Sequence, residues 1–166
     1  MSVAALEYAK AALQRQLARR DVRGSLDIDL SMNSVGDGIC DLLQIICDSQ
    51  IEEVNKVFLF QAGVTYRSKK ILIAFMAKYP NLSEFHFSDN QIDEQTAVGM
   101  INAACNGRNS RFPLWLRLDR CGLKEPRKLM KSLEHIVCTN IAKDACRQRT
   151  CLKYKKIHCP PGVFTQ

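Results

Sequence analysis

Long apolar runs are missing from this sequence. The longest, Ile71 to Ala77, has seven residues, against the roughly 20 that a helix needs to cross a bilayer, so membrane insertion is not expected. Histidine is scarce. His86, His135 and His158 are the whole set, they fall in three separate segments, and none stands beside a recognisable nucleophile. Glycine is sparse where nucleotide chemistry would need it: Val35-Gly36-Asp37-Gly38 lacks the third glycine and the preceding context of a dinucleotide loop, and no G-x-x-x-x-G-K-[ST] segment occurs. Glu52-Glu53 is an adjacent pair on the approach to a strand and reads as solvated. His135 and Cys138, three residues apart, read as packing on one helix face. An enzyme, a small-molecule substrate and an obligatory cofactor are therefore not expected.

What is present is the balance of a folded chain. Apolar residues make up 46% and charged residues 25% of 166 positions, which suits one domain with a tail. The formal charge of +7 is unevenly placed. Residues 1–137 hold 18 Lys/Arg against 16 Asp/Glu, whereas residues 138–166 hold 6 against 1, so the basic character belongs to the tail. Cysteine divides in the same way: Cys40, Cys47, Cys105 and Cys121 are scattered in apolar sequence, and Cys138, Cys146, Cys151 and Cys159 crowd the last 29 residues. No secretory signal peptide is recognisable, and the scattered four are expected to be reduced core residues. An intracellular location, cytoplasm or nucleus, is the resulting expectation.

Residues 1–23 carry Leu6, Ala9, Leu13 and Leu17 along one face at helical spacing. A helix is predicted there. Glu7 is the only acidic residue before Asp21, so this basic helix suits a mitochondrial targeting segment as well as a cap over the first unit of a repeat fold. The cap is the preferred reading.

Internal repeats organise the chain from residue 24 to residue 137. Leu82, Phe85, Phe87, Asn90 and Ile92 have the pattern L-x-x-L-x-L-x-x-N-x-L. The same offsets return at Pro113, Leu116, Leu118, Cys121 and Leu123, and earlier at Val54, Val57, Leu59, Ala62 and Val64, and at Ser25, Ile28, Leu30, Asn33 and Val35. Apolar residues at helical spacing come after each copy: Ile39, Leu42, Leu43 and Ile46; Ile71, Leu72, Phe75, Met76 and Tyr79; Val98, Met100, Ile101 and Ala104; Leu129, Leu133, Ile136 and Val137. Each unit is predicted to be a short strand, a turn and a returning helix. The asparagine at the turn can satisfy backbone groups left open where the strand ends. This pattern resembles the leucine-rich repeat, and a helix in every 28–31-residue unit resembles its ribonuclease-inhibitor-like class. The resemblance implies an α/β solenoid over residues 24–137, with about four repeats, a parallel sheet on the concave face and helices on the convex face.

Function in such a fold usually lies on the strand face. Alternation places three columns outward: Asp27, Lys56, Glu84 and Trp115; Asp29, Phe58, His86 and Arg117; Ser31, Phe60, Ser88 and Asp119. Aromatic and arginine side chains are the usual anchors of protein interfaces, so Phe58, Phe60, His86, Trp115 and Arg117 are the candidate partner-binding set. The competing reading is that the N-terminal helix or the tail folds across Phe58 and Phe60.

The tail offers a second surface. Cys138, Cys146 and Cys151 have the spacing C-x7-C-x4-C, which resembles the first three ligands of CCCH zinc fingers. That pattern wants a histidine where this chain has Lys155, so Cys159 or His158 would close the set only over a longer final loop. Zinc on Cys138, Cys146, Cys151 and Cys159, two disulfides, and simply packed thiols all remain open. Arg147, Arg149, Lys153, Lys155 and Lys156 with Tyr154 between them would suit single-stranded RNA, cations to phosphates and ring to base. The segment Pro113-Leu114-Trp115-Leu116-Arg117-Leu118, with the spaced cysteines and Lys156-Ile157-His158-Cys159-Pro160-Pro161, is similar to a protist module of leucine-rich repeat and Cys-rich stretch. That module sometimes adjoins a PIN-type nuclease, and the similarity implies association with RNA-processing machinery. The acidic set of such a nuclease is absent: after Asp119 the chain has only Glu125, Glu134 and Asp144.

The sequence thus points to a non-catalytic binding or scaffold protein, a subunit of a larger assembly that recognises a protein partner through the strand face. The alternative is an RNA-binding or ribonucleoprotein subunit acting through the Cys-rich tail of residues 138–166.

Overall fold

A computed structural model describes residues 3–19, 25–33, 35–106, 114–138 and 157–158. The candidate RNA contacts Arg147, Arg149, Lys153, Tyr154, Lys155 and Lys156 lie outside them, as do Cys146, Cys151 and Cys159. Cys138 is described in its backbone alone. None of the described helices is long and apolar enough to cross a membrane.

The elements run α1 (Val3–Arg19), β1 (Leu26–Asp29), α2 (Ile39–Asp48), β2 (Val54–Phe58), α3 (Lys69–Lys78), β3 (Glu84–His86), α4 (Glu94–Asn106), β4 (Trp115–Arg117), α5 (Pro126–Ser132), β5 (Val137–Cys138) and β6 (Ile157–His158). All strand pairs are parallel, in the order β1-β2-β3-β4-β6-β5. From Asp27 onward the register matches the repeat offsets residue for residue, after one shift between Leu26, which pairs with Val54, and Asp27. Ile28 stands beside Val57, Val57 beside Phe85, and Phe85 beside Leu116. Parallel neighbours need a crossover, and each of the helices α2, α3 and α4 supplies one on the same side of the sheet.

Alternation along each strand divides the two faces. Val57, Leu59, Phe85, Phe87, Leu116 and Leu118 are fully buried against the helices. Phe85 is the centre of an aromatic group, its ring centroid 6.5 Å from Phe75 and 5.9 Å from Phe87. The helices contribute Leu43, Ile46, Leu72, Met76, Met100 and Ile101, each nearly or wholly buried. Gly99 allows α4 to approach α3, because a Cβ there would run into the side chain of Ile73. α1 packs its Leu6, Ala9, Leu13 and Leu17 against the core and ties its Lys10 to Asp41 of α2 at 3.2 Å.

Beyond the strands the ladder continues through the turns. Met32, Gln61, Asp89 and Arg120 occupy one offset in the four repeats and all have left-handed backbone, φ 58°, 50°, 59° and 50°. The amides of the first three donate to the carbonyls of Phe60, Ser88 and Asp119 in the following repeat. Asn90 explains the turn signature. Its side-chain amide donates to the carbonyls of Leu59, Phe87 and Ser88, and its oxygen accepts from the Val64 amide. Half of that work serves the preceding repeat, so the turn containing Ala62 forms without an asparagine of its own. Cys121 plays a reduced version of the part: its thiol lies 3.2 Å from the Phe87 carbonyl, and burial pushes its pKa up to about 12, keeping the proton in place.

Two expectations need correction. The fourth helix does not run through Leu133, Ile136 and Val137. It stops at Ser132, and Val137 enters β5, because successive turn bonds (Leu133 amide to Met130 carbonyl, Ile136 and Val137 amides to Leu133 carbonyl) bring the chain back to the sheet. His135 and Cys138 consequently do not share a helix face: His135 is exposed in that turn and Cys138 is in a strand. Cys40, Cys47, Cys105 and Cys121 are all free thiols.

Candidate functional site

The sheet face turned away from the helices carries the predicted columns, and adjacent strands bring them together in register. Asp27 is level with Lys56, Lys56 with Glu84, and Glu84 with Trp115. Next along, Asp29, Phe58, His86 and Arg117 form a second row. Phe58, Phe60, His86, Trp115 and Arg117 are half-buried, so the aromatic row is partly open rather than standing clear of the surface.

Contacts within the row hold its side chains in place. The Phe58 and His86 rings meet edge to face, centroids 4.8 Å apart, an arrangement that aromatic quadrupoles favour. Glu84 sits between Lys56 and His86, its carboxylate 3.8 Å from Lys56 Nζ and 3.5 Å from His86 Nε2. Asn55 donates to Asp27 at 3.2 Å. Such partly exposed pairs contribute little stability singly, but they reduce the rotamer freedom a partner would otherwise have to remove.

The third column departs from expectation at its C-terminal end. Ser88 and Asp119 are buried, 4% and 2% exposed, with Ser88 Oγ donating to Asp119 Oδ2 at 3.0 Å. Arg117 folds onto the same oxygen, Nε at 2.9 Å and Nη2 at 2.8 Å. A buried carboxylate needs such a counter-charge, so the Arg117 guanidinium is committed to Asp119 as well as facing outward. Next to it, Arg120 grips both oxygens of Asp89 at 2.6 and 2.5 Å. The Arg120 hydrogen bonds hold the Asp89 carboxyl below its ordinary range. Sequence reading missed these two pairs. The signal was available: Ser88 and Asp119 share one repeat offset, Asp89 and Arg120 the next, and equal offsets become neighbours in a parallel ladder.

A polar cluster also joins the first two repeats on the helix side. Asp37 accepts from the Thr65 amide, from Thr65 Oγ1 and from Ser68 Oγ at 2.7–3.1 Å. Burial alone would raise its pKa, yet the bonds from Ser68 and Thr65 prevail and lower it. Among the described residues no group of three or more His, Cys, Asp or Glu could hold a metal ion. Of the candidate zinc ligands, the chain places Cys138 beside His158 in the β5–β6 pair, and the others lie outside the described residues.

Strand–turn–helix repeats on one parallel sheet define a leucine-rich-repeat-like fold. A particular solved structure shares it: the tropomodulin C-terminal domain of Caenorhabditis elegans, with a TM-score of 0.57 and 12% identity over 75% of this chain and 72% of that one. That likeness is one of architecture. No protein-family model matches the sequence, and no curated protein matches it.

Proposed function

We propose that this chain is a non-catalytic protein-binding module, a short solenoid of the ribonuclease-inhibitor-like class whose concave strand face receives a partner. The observation that carries the reading is the aromatic row Phe58, His86 and Trp115, flanked by Phe60, half-open on the face opposite the helices. Buried aromatics on the other face account for the fold; these do not, and aromatic side chains held in fixed rotamers are efficient anchors for a protein surface. The likeness to the tropomodulin domain agrees with a binding role without naming a partner. In this reading the chain works inside the cell as a subunit of a larger assembly.

The test is capture of a partner by the intact chain and by two variants. Replacing Phe58, Phe60 and Trp115 with alanine should abolish capture, with the loss of such anchors expected at about 2 kcal/mol or more each. Neutralising Arg147, Arg149, Lys153, Lys155 and Lys156 should leave it intact. Loss only in the second variant, with affinity falling steeply as salt rises, would favour RNA binding through the basic tail instead. Zinc analysis of the purified chain complements this, since one metal per chain would mean the tail is a folded Cys-rich element.

A further inference from the structure

The helix layer and the sheet end at different places on the N-terminal side. α1 packs beside α2 as a further helix of the series, but among the described residues no strand lies beyond β1. A cleft of about 310 Å³ occupies that position, walled by Ala9, Ala12 and Leu13 of α1 and by Leu26, Ile28 and Leu30 of the first repeat. These are the surfaces against which the inward side chains of one more strand would pack.

The backbone is arranged for the same purpose. The amides of Leu26 and Leu30 donate to Glu53 and Phe58 on the β2 side, so by alternation the N–H and C=O groups of Asp27 and Asp29 turn to the outer edge, where they are a template for pairing. Asn33 adds an independent sign. Its counterpart Asn90 reaches back to the Leu59 carbonyl of the preceding repeat, and Asn33, with no preceding strand among the described residues, is exposed.

Charge selects the occupant. Asp27 and Asp29 are exposed on the strand face, and among the described residues no lysine or arginine forms an ion pair with either. A strand laid beside β1 would place its own outward residues next to these two carboxylates. A second copy of β1 would set aspartates against aspartates. We propose that the β1 edge and the α1 cleft form a docking site for an extended peptide of a partner protein, apolar at alternate positions and Lys or Arg at the positions between.

An octapeptide of alternating lysine and valine is the probe, compared with alternating glutamate and valine and with alternating lysine and serine. Fluorescence anisotropy should show saturable binding of the first and at least ten-fold weaker binding of the others. Hydrogen exchange on the unaltered chain should show the Asp27 and Asp29 amides newly protected when the lysine–valine peptide is added. Asp27→Asn with Asp29→Asn should weaken binding about five-fold, Asn33→Ala should weaken it about three-fold, and Ala12→Trp should fill the cleft and abolish it. The proposal is overturned if Asp27 and Asp29 gain no protection, if the glutamate peptide binds equally, or if sedimentation shows a dimer that the Asp27 and Asp29 substitutions strengthen.

Discussion

Asn33 and Asn90 hold the same offset in the first and third repeats and live in different surroundings. Asn90 is 2% exposed and satisfies four backbone groups across two repeats. Asn33 is exposed. The apolar positions differ in the same sense: Phe87 is fully buried, while Leu30 at the equivalent place is half-buried. One motif therefore does two kinds of work. With neighbours on both sides it is a stability element; at the end of the series its unused groups face outward, where they are available to a partner.

That contrast can be broken experimentally, and the core should break it hardest. Phe87→Ala should cost about 3–5 kcal/mol, as large aromatic truncations in well-packed interiors do, whereas Leu30→Ala should cost about 1–2 kcal/mol because part of its surface is already hydrated; urea denaturation measures both. Asn90→Ala comes next. It leaves the Leu59 and Phe87 carbonyls and the Val64 amide to find new partners in a buried place, and a loss of about 2–3 kcal/mol is expected. A cost below about 0.5 kcal/mol for Asn90→Ala would remove the distinction between the two asparagines.

A smaller effect concerns the joint between the first two repeats. Because the folded state lowers the Asp37 pKa, the carboxylate contributes stability above its ordinary value, near pH 3.8. That contribution fades as pH falls through the lowered folded value. Asp37→Asn should thus destabilise the protein by about 1 kcal/mol at neutral pH, with the difference from the unaltered protein shrinking as pH falls below 3.8. A difference that grows on acidification would mean that Asp37 is not held in its charged form. Asn33→Ala stands last, with stability expected to change by less than about 0.5 kcal/mol.

Much of the fold was legible because period and offset are local quantities. Four strands, their register and the division of inward from outward side chains follow from the spacing of residues such as Val57, Phe85 and Leu116. The strand-face candidates were legible for the same reason. What escaped depends on long-range neighbours. Whether an outward residue stays open is decided by the side chain beside it, as Asp119 and Arg117 show. The early end of α5 follows from where Val137 must rejoin the sheet, and helical spacing alone could not reveal that. Ile157–His158 pairing beside Trp115 joins positions some forty residues apart in a segment without a repeat signature, so no offset announced it.

The chain has one tryptophan, and it lies on the proposed binding face. Titrating the partner against the unaltered protein while following Trp115 emission and its quenching by acrylamide is therefore the most direct measurement. Occupation of the strand face predicts a shift to shorter wavelength and loss of quenching that saturate together with binding. Saturated binding with Trp115 emission and quenching unchanged would contradict the account and place the interface elsewhere on the molecule.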